Sequence, residues 1–170
     1  MQANRCVAGI DVHKKMLAVV VGRMQEQSLE VERAKFGTTT EELERLSGWL
    51  QARGVEEAVM ESTGEYHKPV WLQLEGRFRL HLAQAHSNRG PKGRKRDFAD
   101  ARRMIRRFLS EDLIFSYVPD SEQRLWRRLT RTKTSMGDQR KRVQCQVEGL
   151  LEKMMIKLSS VVSDLFVSAL

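Results

Sequence analysis

Four acidic residues occupy positions where a folded sheet could bring their carboxylates together. Asp11 lies inside the apolar segment AGIDVH, Glu61 follows the apolar segment EAVM, and Asp97 and Asp100 lie three residues apart at the start of a predicted helix. An unpaired carboxylate in a buried strand is costly, so Asp11 needs a partner or a metal ion. Two helical positions three apart face the same way. Four converging carboxylates would form an all-oxygen site for Mg²⁺ or Mn²⁺.

Such a site would have a definite chemistry, although each acid also has a simpler interpretation. Two divalent ions roughly 4 Å apart can activate a nucleophile and stabilise the leaving oxygen in phosphodiester chemistry. Alternatively, Asp11 lies on the exposed face of an edge strand and Glu61 faces water at a strand end. Asp97 and Asp100 would then be a helix cap with one extra acidic residue.

Positive charge is concentrated in two segments of the chain. Lysine and arginine outnumber aspartate and glutamate by 30 to 22, which gives a net charge of +8. Residues 89–107 contain nine basic and two acidic residues, and residues 120–142 contain eight and three. Localised positive charge predicts a nucleic-acid-binding surface. The candidate nucleic-acid-binding residues are Lys92, Arg94, Lys95, Arg96, Arg102, Arg103, Arg106, Arg107, Arg124, Arg127, Arg128 and Arg131.

Other classes of protein are disfavoured by the composition. The two cysteines, Cys6 and Cys145, are far apart and form neither a disulfide framework nor a zinc motif, which predicts a reducing cytoplasm. The longest uninterrupted apolar run, Met16–Val21, is much shorter than the roughly 20 residues of a membrane span, so no membrane partner is expected.

The elements that must position the acids follow an α/β pattern. Three strands with short connections predict an antiparallel start, and Leu29, Val31 and Ala34 are assigned to one face of the third. Helices and strands then alternate, which predicts parallel strands. The predicted strands are Cys6–His13, Met16–Gly22, Ser28–Phe36, 55–63 and 79–86. The predicted helices run from a cap at Thr39 or Thr40 to Gly54, from about Pro69 to Glu75, and over Phe98–Leu109.

A long helix is predicted from Asp120 to about Leu158, near 58 Å at 1.5 Å per residue. Apolar residues recur every seven positions, which predicts a coiled-coil arm over 119–160; the alternative is an ordinary long helix packed on the domain. The seam is Leu129, Met136, Val143 and Leu150, with Trp126, Val147, Met154 and Val161 at a companion position that Lys133 and Arg140 interrupt. Residues 161–170 are apolar, and we expect them to begin a further region.

Four segments in this order resemble the N-terminal half of a known family. They are GIDVHKKMLAVVV, MESTGEYHKPVWLQLE, GRKRDFADARRMIRRFL and FSYVPDSEQRLWRRLTR. Together they resemble the DEDD-type insertion-sequence transposases of family one hundred and ten, which include the Piv and MooV DNA invertases. Each motif alone is weakly specific, but the combination spans nearly the whole chain.

The resemblance implies a fold, a site, partners and a bacterial or archaeal cytoplasm. It implies a RuvC-like domain of the RNase H fold over 1–118, with a Mg²⁺-binding tetrad that falls on Asp11, Glu61, Asp97 and Asp100. It also implies a helical coiled-coil region that mediates homo-oligomer contacts, and a bridge RNA that guides the enzyme to its donor and target DNA. In the family, a C-terminal domain then provides a nucleophilic serine.

Two departures from the family pattern bear on activity. The family usually has Lys-Thr-Asp before its third acid, whereas this chain has Lys95-Arg96-Asp97. The serine-bearing domain has no counterpart in these residues, so we expect the chain to be inactive alone. Two alternatives stay open: a RuvC-like junction-resolving endonuclease that uses the four acids unaided, and a non-catalytic nucleic-acid-binding module.

Overall fold

The computed structural model describes residues 5–25, 28–62, 64–85 and 97–162, and the chain divides into two compact units, Met1–Val118 and Pro119–Leu170. In the described part of the first unit, six strands form one sheet. The strands are β1 (Cys6–Val12), β2 (Leu17–Gln25), β3 (Ser28–Phe36), β4 (Glu57–Ser62), β5 (Arg79–Ala83) and β6 (Phe115–Ser116). The helices are α1 (Thr40–Gln51), α2 (His67–Leu74) and α3 (Asp97–Leu109).

The sheet is mixed, with the order β3-β2-β1-β4-β5-β6. β2 pairs antiparallel with both β1 and β3, whereas β1, β4 and β5 are parallel to one another, and β6 is antiparallel to β5. This order and these directions are the RNase H-like arrangement, so the predicted fold is confirmed. β6 was not predicted because two residues are too few to give an alternating pattern.

Different helices pack on the two faces of the sheet. Ala8 and Ile10 of β1 join the apolar residues of α1 and α2 in one buried cluster. Val7, on the opposite face, packs in a second cluster with Ala101 and Ile105 of α3. Since successive side chains of a strand point to opposite faces, odd-numbered positions of β1 lie on the α3 face.

β3 follows the same alternation and corrects one prediction. Leu29 and Val31 pack against the α3-side cluster, whereas Ala34 packs against the opposite cluster. The assignment of Ala34 to the face of the other two was wrong, because residues an odd number apart in a strand point to opposite sides.

The ends of α1 and α2 have local causes. The Thr39 hydroxyl accepts a hydrogen bond from the Glu42 amide at 3.4 Å and caps α1. Gly54 follows the end of α1 with φ of +67°, as predicted, since glycine adopts that conformation without strain. α2 begins at His67, two residues earlier than predicted. Its Pro69 is tolerated in the first turn because amides there have no partner within the helix.

The second unit consists mainly of α4 (Ser121–Lys153), with a 3₁₀ turn at Leu158–Ser160. Asp120 caps α4 through a 2.8 Å hydrogen bond from the Gln123 amide. None of the described residues of α4 is buried. The exposed residues of α4 include Leu129, Met136, Val143 and Leu150. The coiled coil that this seam predicts stays a prediction.

α4 ends about five residues before the predicted end at Leu158. Met155 adopts a positive φ of 59°. The Met155 amide donates to the Glu152 carbonyl and the Ile156 amide donates to the Leu151 carbonyl, both at 2.9 Å. This is the Schellman arrangement, which usually requires glycine at the position of positive φ. No glycine marks this point, so no residue type signals the end of the helix. No helix in the described residues is both long and apolar enough to cross a bilayer.

Candidate active site

Asp11 and Glu61 are neighbours at the carboxyl ends of two parallel strands. Asp11 of β1 pairs in register with Glu61 of β4. Neighbouring strands lie about 4.8 Å apart, and partners in a parallel pair project to the same face. That face is the α3 side, since Val7 and Val59 of the same strands pack there. Both acids are half-buried, so two carboxylates share one edge of the sheet.

Contacts between α3 and the sheet fix the direction of the helix. A Cβ atom added to Gly9 of β1 would lie 2.4 Å from the carbonyl oxygen of Ala101, so only glycine permits this close approach. One turn later, Ile105 lies against Gly22 of β2. Gly22 pairs with Val7, which is nearer the start of β1. α3 therefore runs antiparallel to β1, with its N-terminus over the carboxyl end of that strand.

This direction brings the other two acids toward Asp11. Asp97 precedes Ala101 by one helical turn, about 6 Å at 1.5 Å per residue. Asp11 follows Gly9 by two strand residues, about 7 Å. Both steps lead the same way from the contact between Gly9 and Ala101. The first turn of α3, with Asp97 and Asp100, therefore begins beside the paired acids of β1 and β4.

Two of the acids have nearby basic groups. Nε2 of His13 lies 3.0 Å from Oδ2 of Asp11, and Nη1 of Arg103 lies 2.8 Å from Oδ1 of Asp100. The side chain of Asp97 is outside the described part of the structure. Among the described side chains, no three acidic, histidine or cysteine groups are close enough to hold one ion. The structure thus places Asp11 beside Glu61 and brings the helix of the other two acids to them, without closing a four-ligand cluster.

The donors present fit a hard divalent cation. Mg²⁺ prefers oxygen ligands and is usually held by one or two protein carboxylates, with waters and substrate phosphates completing its coordination. Adjacent carboxylates on Asp11 and Glu61 meet that requirement. Two like charges placed side by side repel each other, and a cation between them removes that repulsion.

The basic residues predicted to bind nucleic acid fall into three groups. The first lies outside the described residues and comprises Lys92, Arg94, Lys95 and Arg96. The second lies on α3 and comprises Arg102, Arg103, Arg106 and Arg107. The third lies on α4, where Arg124 donates from Nη1 to the Pro119 carbonyl at 2.7 Å. Arg127, Arg128 and Arg131 are exposed on the same helix.

The four arginines of α3 have different surroundings. Arg107 donates from Nε to a carboxylate oxygen of Asp112 at 3.0 Å and from Nη2 to its carbonyl at 2.6 Å, so it stabilises the loop after the helix. Arg103 pairs with an acid of its own helix. Arg106 is exposed. Nε of Arg102 is buried and has no hydrogen-bond partner among the described residues.

A buried acid at the opposite end of β4 was not predicted. Glu57 is 5% exposed. Its Oε1 accepts hydrogen bonds from Nε and Nη2 of Arg5 at 3.0 and 2.8 Å, and Nε2 of His81 lies 3.0 Å from its Oε2. The Arg5 guanidinium lies 4.9 Å from the centre of the Phe108 ring. Burial opposes ionisation of Glu57, but the bonds to Arg5 and His81 outweigh it and hold the pKa of the carboxyl below its ordinary value of 4.5.

Two cations of β3 that lie near α3 were also not predicted as candidate nucleic-acid-binding residues. Arg33 and Lys35 are exposed, and both lie near the ring of Phe98 in α3. The signal was present in the alternation of the strand, which places them on the same face as Leu29 and Val31. They lie outside the two segments richest in basic residues, so the local density of positive charge does not mark them.

The chain is similar to known sequences and structures. Residues 8–156 match the profile of a family described as Transposase, DEDD_Tnp_IS110. Among individually curated proteins, none matches significantly. RuvC of Thermus thermophilus is 13% identical, with a TM-score of 0.49, over 65% of this chain and 99% of that chain. T. thermophilus RuvC in complex with a Holliday junction is 12% identical, with a TM-score of 0.46, over 66% of this chain and 99% of that chain. Fowlpox virus resolvase in complex with Holliday junction DNA is 11% identical, with a TM-score of 0.37, over 62% of this chain and 74% of that chain.

Proposed function

This chain belongs to the IS110 family of DEDD transposases, and we propose that it supplies the divalent-metal site, formed by Asp11, Glu61, Asp97 and Asp100, with which the complete transposase cleaves DNA. The observation that carries the proposal is the pairing in register of Asp11 with Glu61 under the first turn of α3. Carboxyl ends of parallel strands are where α/β sheets bind their ligands.

The residues of the chain have separate roles in this proposal. The carboxylates of Asp11 and Glu61 hold the cation, and those of Asp97 and Asp100 complete the site from α3. A bound Mg²⁺ or Mn²⁺ would stabilise the negative charge that develops on the phosphate oxygens during cleavage. The arginines and lysines of the two basic segments neutralise flanking phosphates and position the strand.

The metal site is tested by calorimetric titration of Mn²⁺ into the protein with nucleic acid present. Asp11→Asn keeps the shape of the side chain and removes its charge, so we expect metal binding by this chain and DNA cleavage by the complete transposase to be lost. Glu41→Gln on α1 is the matched control, because Glu41 is an exposed acid on the other side of the sheet. Equal metal binding by the wild type and Asp11→Asn would favour a non-catalytic nucleic-acid-binding module.

A second experiment separates the transposase from a resolvase. The 170-residue chain is incubated with branched DNA and Mg²⁺. Cutting that Asp11→Asn abolishes would favour a junction-resolving endonuclease that acts with the four acids unaided. An inert chain that still binds Mn²⁺ and DNA would favour a transposase whose strand exchange needs the serine-bearing domain of the family. Asp97→Ala serves as a second variant in the complete transposase, where we expect recombination to be lost and RNA binding to persist.

We also propose the two remaining partners. The exposed seam of Leu129, Met136, Val143 and Leu150 supports a homo-oligomer formed through α4. Sedimentation of Met136→Lys against the control Lys133→Ala tests this, with loss of association expected only for Met136→Lys.

The exposed arginines of α4 support binding of a guide RNA, the bridge RNA of the family. RNA binding that is unchanged in Arg127→Ala/Arg128→Ala would refute that role for α4.

A further inference from the structure

We infer that two cations of β3 and two residues of α3 bind the phosphodiester backbone of the DNA strand that enters the acidic site. We name this group the β3–α3 strip; it consists of Arg33, Lys35, Phe98 and Arg102. The inference rests on the proposed function, because the acidic site defines the strand to be bound. It adds a positioning surface outside the two basic segments.

The register of the sheet places the strip next to the acids. Lys35 pairs with Ala18, Ala18 pairs with Asp11, and Asp11 pairs with Glu61, so all four lie in one row across the sheet. Lys35 is two strands from Asp11, about 10 Å at the usual strand spacing. Arg33 lies in the next row, two residues back along β3. One nucleic-acid strand that follows this row contacts the strip and the acids together.

An aromatic ring orients the two cations of β3. Cζ of Arg33 lies 5.9 Å, and Nζ of Lys35 lies 5.3 Å, from the centre of the Phe98 ring. Cation–π contacts at these distances hold a charged group in place without neutralising its charge. Arg33 and Lys35 are both exposed, so the oriented charges remain accessible to a polyanion. Arg33 makes no ion pair among the described residues.

Arg102 extends the strip along α3. It follows Phe98 by four residues, so the two lie on the same side of the helix. Its Nε is buried and lacks a hydrogen-bond partner among the described residues. A buried donor without an acceptor is unfavourable, and a guanidinium suits the paired oxygens of a phosphate. Arg102 as a whole is only half-buried, so a shift of its side chain would let a phosphate bound at the strip supply the missing acceptor.

β3 separates its charges between the two faces of the sheet. Glu30 and Glu32 alternate with the residues of the α3 face and therefore lie on the opposite face. There the carboxylate of Glu32 accepts a hydrogen bond from Nε of Arg53 at 2.7 Å. The α3 face of β3 keeps its two cations, Arg33 and Lys35, away from these acids, which favours binding of phosphate on that face alone.

The test measures fluorescence anisotropy of labelled DNA with the full 170-residue chain, without divalent metal. Arg33→Ala/Lys35→Ala is compared with Arg45→Ala/Lys68→Ala, which removes the same charge from exposed positions of α1 and α2. We expect the strip variant to bind about ten-fold more weakly and to lower the slope of log K against log salt by about 1 to 2. We expect the control to match the wild type.

Two outcomes would overturn the inference. One is DNA binding by the strip variant that equals binding by the control variant. The other is a loss seen with labelled RNA of the same sequence but not with DNA, which would assign the strip to RNA. Failure of the proposed function gives a different result: Asp11→Asn would then bind Mn²⁺ as the wild type does, whatever the strip variant does. Arg102→Lys, which keeps charge but loses the guanidinium fork, provides a second variant that tests the buried Nε.

Discussion

Glu57 and Glu61 lie four residues apart on the same face of β4, and their surroundings are opposite. Glu57 is buried and held by Arg5 and His81, with Arg79 Nη2 3.5 Å from its Oε1. Glu61 is half-buried and lies beside Asp11, its partner in register at the carboxyl end of the sheet.

The two surroundings separate a structural carboxylate from a metal-binding one. A buried acid surrounded by guanidinium and imidazole groups has its charge balanced within the protein, so its removal leaves those groups uncompensated and destabilises the fold. An acid placed next to another acid raises the local negative charge, which a fold tolerates where a cation binds. The identity of the neighbours distinguishes Glu57 from Glu61 better than burial does.

The largest expected effect belongs to the carboxyl end of the sheet. Glu61→Gln removes one charge of the acid pair, and we expect DNA cleavage by the complete transposase to fall by about 10³-fold, since metal ions contribute several kcal/mol to such barriers. The free energy of unfolding should change by less than about 0.5 kcal/mol, because the amide has nearly the same shape as the carboxylate and Glu61 lies at a half-buried strand end beside a like charge. Cleavage assays and chemical denaturation, with Glu41→Gln as control, measure both. Retained cleavage would remove the distinction between Glu61 and Glu57.

The second effect tests the other end of the same strand. Glu57→Gln leaves Arg5 and His81 without their carboxylate, and we expect a loss of stability of about 2 kcal/mol. This is below the 3–5 kcal/mol typical of fully buried pairs because the Arg5 side chain is 42% exposed. Denaturant unfolding gives the value. Metal binding by the folded variant should equal that of the wild type, and a variant that lost metal binding while keeping its stability would reverse the comparison.

The third effect tests the packing of α3 against β1. Gly9→Ala places a Cβ atom 2.4 Å from the Ala101 carbonyl oxygen, a backbone atom that moves only with the helix. We expect a loss of about 1–2 kcal/mol and weaker Mn²⁺ binding, since α3 carries two of the acids. Gly48→Ala on α1 is the control. It meets no atom within 4 Å, and in a helix it should stabilise by about 0.5–1 kcal/mol. Unchanged stability of Gly9→Ala would contradict the close packing of α3.

The smallest effect is the pH dependence that Glu57 confers. The pKa of its carboxyl lies below the ordinary 4.5 in the folded protein. Its contribution to stability is therefore fully present above pH 4.5 and is lost as the pH falls through the folded pKa. Thermal unfolding between pH 6 and pH 3 should show a shallower decline for Glu57→Gln than for the wild type. Parallel curves would mean that the Glu57 cluster does not couple protonation to folding.

Much of the local structure was predictable because its causes are local. Thr39 caps the start of α1, and Gly54 follows its end with a positive φ; the residue types of both favour these roles. Asp120 caps α4 in the same way. Predictions failed where local signals were absent, as at the end of α4, where Met155 adopts the conformation usual for glycine.

The candidate site was predictable in its residue types but not in its arrangement. Asp11 and Glu61 were recognisable as acids in or after apolar strands, and Asp97 and Asp100 as a pair on one helix. Their roles in the metal site stay a prediction. Glu57 carried no such signal, because the partners that identify it as structural come from other segments of the chain, Arg5 just before β1 and His81 in β5.

Residue types at short spacing were enough to predict β1 to β5, α1 to α4, the places where most of them begin, and the family to which the chain belongs. Which acids lie side by side depends on the tertiary structure. The register of β1 against β4 and the direction of α3 over Gly9 arise from packing between segments far apart in the chain. Side-chain pattern within one segment does not encode which position of another segment lies opposite it.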